Sequence, residues 1–341
     1  MCQLAAYIGD RDIAKTLLNC LRYQESYFGA NATGMGTIDN GALHWIKAPG
    51  SVDHVIKNSE ITGLTGTTGL AHSRLSMTDD PRYNRAKNAH PFTNTNNDIA
   101  LMHNGIISNY KMHWAELAKE YEFKGYNSDI DYITDSEVAV HMIDKNMKDG
   151  LCFEDALRKT ANSLTGMVLL AAMSPNEAET IYITNWIQAC TLAKGDDETM
   201  FSSSHLGFED VKDDMDIFHA PRNSFIKMTR DRIEITKLDP FRKAPDPQLN
   251  MSRFKEVITE ILKKSDMTSV EIIMALNESG GARVFEMEDS PWMALVEMGW
   301  GDQNQVIDPL ERLTEEGSVV RKLEQRMEGG ILVPRFVWSL P

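Results

Sequence analysis

The stretch IALMHNGIISNY, residues 99–110, places the pair Asn104 and Gly105 between two apolar runs of β-strand pattern. We predict a strand over Ile99 to Ile107. An Asn-Gly pair flanked by such runs is also typical of a tight type I′ hairpin turn, because both residues tolerate a positive φ. An asparagine amide beside a glycine N–H can equally supply the two donors that stabilise an oxyanion. The two interpretations are compatible.

Outward from this stretch, short apolar β-branched runs alternate with segments of helical period up to about residue 240. The predicted strands are Gln3 to Ile8, Gly69 to Arg74, Ile99 to Ile107, Met167 to Met173, Thr180 to Asn185, Ala189 to Ala193, Thr199 to Ser203, Ser224 to Thr229 and Arg232 to Lys237. The predicted helices are Asp12 to Arg22, Ser108 to Tyr121, Asp135 to Met147 and Phe153 to Leu164. Several consecutive strands have no helix between them, which favours antiparallel sheets and an α+β fold over a doubly wound one.

A proline-rich segment divides the chain. Leu238 to Asn250, LDPFRKAPDPQLN, contains three prolines in thirteen residues and separates two differently patterned regions. Such a composition is typical of a linker. We therefore predict a domain of residues 2–240, a linker of residues 241–250 and a C-terminal module of residues 251–341.

The C-terminal module, which we call the tail, has helical patterns followed by the apolar run ILVPRFVW at residues 331–338. The predicted helices lie near Ser252 to Lys264, Ser269 to Glu278 and Pro309 to Arg326. Three helices followed by a strand are compatible with a small, mainly helical, winged-helix-like module. We expect the tail to fold separately and to dock a partner or a second copy of the chain. A chain ending near Asn250 is then expected to keep its fold and chemistry.

The charge balance argues against nucleic-acid binding. The 341 residues include 35 basic and 50 acidic side chains, a net charge of −15, and the tail holds 10 basic and 16 acidic residues, a net −6. Such a chain has no general attraction to a phosphate backbone or an anionic membrane. Arg321, Lys322 and Arg326 are the only basic cluster of the tail, on one predicted helix, and Glu324 and Glu328 interrupt them.

No apolar run is long enough to span a membrane, and the N-terminus MCQLAAYIGDRD does not have the pattern of a signal peptide. Cys2, Cys20, Cys152 and Cys190 are scattered and form no CxxC pair, which argues against a disulfide framework and a zinc site. We expect a reducing cytoplasm, and the sequence carries no motif for a metal or an organic cofactor.

Cys2 is the most informative single residue. Removal of Met1 would leave a thiol and a free α-amine on one residue, so that the nucleophile carries its own base. The α-amine titrates near pH 7.7 to 8.0 and can therefore accept the thiol proton at physiological pH. Taken alone, Cys2 also fits a small apolar residue at the start of a strand.

Three further positions are candidates for substrate binding or catalysis. Arg74 ends the predicted strand in GLAHSRLS, and its planar fork suits a carboxylate, although an ordinary ion pair is the simpler interpretation. Asp135 stands where a helix is predicted to begin, so that it is either an N-cap or a receptor for a substrate ammonium. His90 lies before Pro91 in the loop NAHPF, and this position favours a role in shaping the loop over a role in catalysis.

Five segments follow one another along the chain, namely Cys2, AHSR (71–74), NAHPF (88–92), HNGIISNY (103–110) and TDSEV (134–138). Their combination resembles the class II glutamine amidotransferases, and is nearest in pattern to the glutaminase half of glucosamine-6-phosphate synthase. The family pattern is CGI, HTRW, NAHPH, HNGIIENY and TDTEV, in the same order. Five separated motifs in one order are far more specific than any one of them.

The resemblance implies a four-layer αββα N-terminal-nucleophile (Ntn) hydrolase fold. It implies that Cys2 is the nucleophile and that Asn104 and Gly105 form the oxyanion hole. It further implies that Arg74 binds the α-carboxylate of glutamine and Asp135 its α-ammonium. The backbone of Leu75 and the segment Ser76, Met77 and Thr78 are expected against the substrate.

The chain departs from the family at several positions. The family segment YRGYDSAG is YFGANATG here, at residues 27–34, so that Phe28 replaces an arginine and Asn31 an aspartate. Leu75 stands for a tryptophan and Met77 for a threonine. The tail is too short for the sugar-isomerase pair or the phosphoribosyltransferase domain that accompanies such glutaminases.

We therefore expect a glutaminase subunit that hydrolyses L-glutamine to glutamate and ammonia through a γ-glutamyl thioester on Cys2. The ammonia would pass to a separate acceptor enzyme, with the tail binding that partner or a second copy of the chain. Two alternatives remain open, a regulatory or scaffold protein on this fold, and an amidase acting on another amide.

Overall fold

The strands form three sheets in the computed structural model, which describes residues 2–76, 78, 80–297 and 304–341. The strands are β1 (Gln3–Ile8), β2 (Ala32–Asp39), β3 (Ala42–Pro49), β4 (Thr68–Arg74), β5 (Phe92–Thr93), β6 (Ala100–Ile107), β7 (Gly166–Met173), β8 (Thr180–Asn185), β9 (Thr191–Lys194), β10 (Thr199–Ser202), β11 (Asp216–His219), β12 (Ser224–Thr229), β13 (Ile233–Lys237), β14 (Met267–Thr268), β15 (Val320–Glu328) and β16 (Ile331–Ser339). The helices are α1 (Ile13–Arg22), α2 (Val52–Asn58), α3 (Tyr110–Leu117), α4 (Asp135–Lys148), α5 (Phe153–Ser163), α6 (Met251–Leu262), α7 (Ser269–Ala275), α8 (Gly281–Val284), α9 (Asp289–Glu297) and α10 (Asn304–Glu315).

Two large sheets make up the first part of the chain. The seven-stranded sheet has the order β11-β9-β10-β1-β4-β2-β3, and the six-stranded sheet has the order β13-β12-β8-β7-β6-β5. The pairings within both sheets are antiparallel. The α+β fold with antiparallel sheets that the sequence predicts is therefore confirmed.

The two sheets pack face to face between two layers of helices. Alternation along β1 explains how, since Leu4, Ala6 and Ile8 belong to the core between the sheets, while Ala5 and Tyr7 belong to the core beneath α1 and α2. A third core fills the space between the six-stranded sheet and α3, α4 and α5. The first part of the chain thus has four layers in the order helix, sheet, sheet, helix.

The predicted turn at Asn104 and Gly105 is wrong. Both residues lie inside β6, where they pair with Leu169 and Val168 of β7 in one continuous register. The physical reason is that the apolar runs on both sides of the pair hydrogen-bond to the same neighbouring strand. Gly105 adopts φ +133°, a conformation that strongly favours glycine, within this ladder.

The helix predicted over Pro309 to Arg326 is also wrong in its second half. Helix α10 ends at Glu315, Gly317 follows with φ +69°, and β15 begins at Val320. The basic cluster is therefore on a strand instead of a helix. A charged segment that pairs along its whole length with β16 becomes a strand, because the tertiary ladder outweighs its local helical propensity.

The tail is built around a core that it shares with the first part of the chain. Helices α6 to α10 and the sheet of order β14-β16-β15 enclose this core. Tyr27, Phe28 and Leu75 belong to the same apolar cluster, and Cys2 packs against it. In the described part of the chain, no helix is long and apolar enough to cross a membrane.

Candidate active site

Cys2 lies at the start of β1, one of the middle strands of the seven-stranded sheet, and is partly buried. Its backbone nitrogen donates to Asn104 Oδ1 at 2.8 Å, although the two residues are 102 positions apart. Its Sγ accepts from the Leu75 N–H at 3.4 Å. The packing of the two sheets therefore brings the candidate nucleophile, its nitrogen and the asparagine amide into direct contact.

Asn104, which contacts Cys2, has an unused hydrogen-bond donor. The residue is 1 % exposed, and its Nδ2 finds no hydrogen-bond partner among the described residues. Its backbone carbonyl accepts from Gln188 Nε2 at 3.1 Å. An unpaired buried donor costs about 1–3 kcal/mol of stability, so that such a group is typical of a site that waits for a ligand atom.

Gly105 allows no side chain. A Cβ built there would lie 2.0 Å from Met167 O and 2.8 Å from Gln188 Nε2, and the positive φ adds strain for any other residue. The glycine therefore permits the backbone after Asn104 to run this close to β7. Asn104 contacts Cys2 without the predicted turn, and Gly105 is the next residue along β6.

Arg74 is the last residue of β4, which pairs with β1. Its Nη1 donates to Asn84 Oδ1 at 3.0 Å, and within the described ranges it forms no ion pair. The guanidinium therefore keeps a charge available for a ligand carboxylate. The next residue, Leu75, reaches Cys2 Sγ with its N–H, and the Ser76 N–H donates to Asn31 Oδ1 at 2.9 Å. Met77 lies outside the described residues.

Asp135 is the first residue of α4, and the N-cap is Thr134, without a side-chain capping bond. The N-cap interpretation of Asp135 is therefore wrong. Its Oδ2 accepts from the Ile107 N–H at 2.8 Å, at the end of β6, and its Oδ1 lies 3.6 Å from His103 Nδ1. Burial opposes ionisation of Asp135, but the neighbouring His103 and the hydrogen bonds hold the pKa of the carboxyl below its usual value. Asp135 is thus an anion that can receive an ammonium group.

The comparisons with known proteins agree with this geometry. The model of a family described as "Glutamine amidotransferase domain" matches residues 72–208. This chain contains a class II glutamine amidotransferase domain. The chain is 33 % identical over 254 residues to the glutamine–fructose-6-phosphate aminotransferase (isomerizing) of Chlorobaculum tepidum, covering 70 % of this chain and 40 % of that protein. It is 27 % identical over 289 residues to the enzyme of the same name from Pyrococcus horikoshii, covering 85 % and 43 %.

The chain thus spans about two fifths of the length of these relatives. Among solved structures, the glutamine phosphoribosylpyrophosphate amidotransferase from B. subtilis, complexed with ADP and GMP, superposes with a TM-score of 0.60. The match covers 77 % of this chain and 58 % of the other at 16 % identity. At that identity, the likeness is one of fold.

The amidotransferase domain contains a buried histidine cluster that the sequence analysis missed. Ser136 Oγ lies 2.9 Å from His90 Nε2 and 3.0 Å from His103 Nδ1, and the ring centroids of His72 and His90 are 3.9 Å apart, with the rings tilted by 31°. Desolvation lowers the pKa of His72 to about 3 and that of His90 well below its usual value, so that both rings are neutral near pH 7. Histidines recur in AHSR, NAHPF and HNGIISNY, and this recurrence was the available clue.

The departures at Phe28 and Asn31 have a structural explanation in the tail. Phe28 is 1 % exposed and belongs to the core shared with the tail helices, which explains an apolar residue there. Asn31 is fully buried, and its Oδ1 accepts from both the Ser76 N–H and Arg335 Nη2. A neutral amide can also donate, and Asn31 Nδ2 lies 3.4 Å from Glu328 Oε2.

Proposed function

We propose that this chain hydrolyses L-glutamine to glutamate and ammonia with Cys2 as the nucleophile. The observation that carries the proposal is the contact between the Cys2 nitrogen and Asn104 Oδ1 at 2.8 Å, which places an amide with an unpartnered Nδ2 next to Cys2. Removal of Met1 turns the Cys2 nitrogen into an α-amine. A neutral α-amine can donate to Asn104 Oδ1 and keep its lone pair for the thiol proton.

The reaction proceeds in two halves. The thiolate attacks the side-chain amide carbon of glutamine, a C–S bond forms, and the carbonyl electron pair moves to oxygen. Collapse of this tetrahedral intermediate breaks the C–N bond, and the ammonium of Cys2 gives its proton to the leaving nitrogen, which departs as ammonia. Water then attacks the γ-glutamyl thioester with the Cys2 amine as base, which releases glutamate and restores the thiol.

The oxyanion of both intermediates is stabilised by Asn104 Nδ2 and the Gly105 N–H in this proposal. The support is that Nδ2 is buried, unpaired among the described residues and adjacent to Cys2. A fixed donor in a desolvated site needs no reorganisation when charge develops on the substrate oxygen.

The substrate is held by both of its α-substituents. Arg74 binds the α-carboxylate, and Asp135 binds the α-ammonium, for which its lowered pKa keeps the required charge at physiological pH. We expect the backbone of Leu75 and Ser76 to line the same glutamine cradle. A free α-amino acid satisfies both charges, whereas an acylated amine does not.

We further propose that the ammonia is used by a separate acceptor enzyme, or by a partner that binds the tail. The relatives bear the name of an aminotransferase acting on fructose 6-phosphate, but this chain matches only about two fifths of their length. The division into residues 2–240, a linker and the module 251–341 belongs to the same proposal. The tail runs α6, β14, α7 to α10, β15 and β16, an order that fits a winged-helix variant.

The test is a direct assay on the full chain after mass spectrometry has established loss of Met1. We expect equal amounts of glutamate and ammonia from L-glutamine, little product from asparagine, and no product with Cys2→Ala. The matched control is Cys20→Ala, because Cys20 is buried and burial raises the pKa of its thiol to about 12. Comparable turnover of asparagine, or activity of the Cys2→Ala variant, would refute the proposal.

A further inference from the structure

The β-hairpin of the tail, β15 and β16, folds back onto the segment that follows Arg74. Gly329, in the turn of this hairpin, accepts a hydrogen bond from Asn84 Nδ2 through its carbonyl at 3.3 Å. Asn84 Oδ1 in turn accepts from Arg74 Nη1 at 3.0 Å. A Cβ built on Gly329 would lie 1.9 Å from Asn84 Nδ2, so that only glycine allows this approach. The hairpin thereby holds the residue that orients Arg74.

A second contact of the hairpin reaches the same segment through Asn31. Arg335 on β16 is 1 % exposed, and its Nη2 donates to Asn31 Oδ1 at 3.2 Å. The same Oδ1 accepts from the Ser76 N–H at 2.9 Å. Arg335 is also paired with Glu328, Nε to Oε1 at 2.9 Å and Nη2 to Oε2 at 2.5 Å. The guanidinium is therefore fully engaged, with its charge compensated, between the hairpin and Asn31.

These contacts frame the stretch from Arg74 to Ser76, whose middle residue donates to the Cys2 thiol. Leu75 completes the connection, because its side chain lies in the core shared with the tail while its N–H reaches Cys2 Sγ at 3.4 Å. The side chain of Arg74 has Asn84 as its hydrogen-bond partner in the described ranges. The orientation of this stretch therefore depends on residues from the far end of the chain.

We propose that the C-terminal hairpin is a structural part of the glutamine cradle, with Arg335 and Gly329 as positioning residues. Arg335 acts through Asn31 on Ser76, and Gly329 acts through Asn84 on Arg74. The inference rests on the proposed glutaminase function, since it concerns the same site. It reverses the expectation that a chain ending near Asn250 keeps its chemistry.

Two variants test the proposal, each with an independent way of disturbing the cradle. Arg335→Met removes the guanidinium but keeps a long apolar side chain in the buried position. Gly329→Ala leaves Arg335 intact and pushes Asn84 away from Arg74. The matched control is Arg321→Met, because Arg321 Nη1 ties the same hairpin to Tyr27 Oη at 2.6 Å without a contact to the cradle.

Steady-state kinetics and hydrogen exchange are measured on the full chain, with thermal unfolding as the record of stability. For Arg335→Met and Gly329→Ala we expect the KM for glutamine to rise about tenfold or more, with a smaller change in kcat. Backbone amides of residues 75–84 should exchange faster in both variants. Arg321→Met should leave KM within about twofold of wild type even where it lowers the melting temperature.

Chemical labelling of Cys2 distinguishes an effect on glutamine recognition from an effect on the reactivity of the Cys2 thiol. In a Cys152→Ser background, iodoacetamide should alkylate Cys2 at nearly the same rate in wild type and Arg335→Met, because this reagent makes no use of Arg74. Labelling by diazo-oxo-norleucine, a glutamine-like electrophile, should slow in the variant. Equal slowing of both reagents would indicate damage to Cys2 itself and overturn the proposal.

The remaining outcomes are decisive as well. The inference would be overturned if KM were unchanged in both cradle variants, or if it rose equally in Arg321→Met. The hairpin would then support the fold in general and have no specific effect on glutamine binding. If wild type releases no glutamate from glutamine, the proposed function fails instead. Hydrogen exchange then still decides the positioning role, since faster exchange of residues 75–84 in Arg335→Met but not in Arg321→Met supports it, and equal exchange refutes it.

Discussion

Replacement of Asn104 by alanine can distinguish an effect on catalysis from an effect on stability. The reason is that Asn185 has a similar hydrogen-bonding environment and serves as a control. Asn104 and Asn185 both lie opposite Leu169 in the six-stranded sheet, on its two sides. Each accepts a backbone N–H at Oδ1, from Cys2 at 2.8 Å and from Gln188 at 2.9 Å. Each has a buried Nδ2 without a partner among the described residues.

The expected magnitudes follow from this symmetry. Each alanine variant loses one hydrogen bond, about 0.5–1.5 kcal/mol, and some packing, but also removes an unsatisfied donor that costs about 1–3 kcal/mol. The two unfolding free energies should therefore agree within about 1 kcal/mol. Turnover should differ sharply, since loss of one oxyanion donor costs about 100- to 1,000-fold in kcat, or about 2.7–4 kcal/mol.

The assay is glutamate release at saturating glutamine, with urea unfolding of the same preparations. We expect Asn104→Ala to lose the stated activity with a modest change in KM, and Asn185→Ala to stay within about threefold of wild type. Normal turnover of Asn104→Ala would refute the oxyanion role. A stability loss in Asn104→Ala that exceeds that of Asn185→Ala by several kcal/mol would refute the view that Nδ2 is idle in the free enzyme.

Three further predictions follow from the site and the core. Intact-mass analysis should find active chain beginning at Cys2, and an active preparation that retains Met1 would contradict the role of the amine. Arg74→Ala and Asp135→Ala should each weaken glutamine binding about 10- to 150-fold, because each removes a charge-assisted hydrogen bond, and isothermal titration with an unreactive Cys2→Ala background measures it. Burial raises the pKa of Glu25 from 4.5 to about 7. The folded chain therefore holds an extra proton between these values, and its stability falls as the pH rises through this window. The assay is urea unfolding at pH 5 and pH 8. Glu25→Gln should reduce the loss of unfolding free energy between these two pH values by up to about 3 kcal/mol. A variant that loses as much unfolding free energy as wild type would contradict this.

The hydrophobic pattern of the sequence correctly predicted those strands that are rich in apolar residues. The predicted bounds Gln3 to Ile8, Thr180 to Asn185 and Ser224 to Thr229 agree with β1, β8 and β12. Alternating or continuous apolar runs of this length indicate a strand, whichever neighbouring strand it pairs with. The pattern missed β2 and β3, where glycine, threonine and charged residues weaken it. Only the pairing of β2 with β3 and β4 defines these strands.

The sequence motifs predicted which residues belong to the candidate site. Cys2, Asn104, Gly105, Arg74 and Asp135 were all named from the sequence. Their contacts were not, because the Cys2 nitrogen meets Asn104 only through the stacking of two sheets. The histidine cluster behind Asp135 depends on the same stacking, since His72 and His103 come from different sheets.

The sequence by itself determined the fold class of the first part of the chain and the residues that carry the chemistry, because periodicity and side-chain type are local properties. The tertiary structure alone decided where the tail lies. Arg335 and Asn31 are 304 positions apart, and their contact exists because the shared core brings β16 against the segment behind Cys2. A long-range contact of this kind depends on how whole elements pack, and no periodicity or motif in either segment records it.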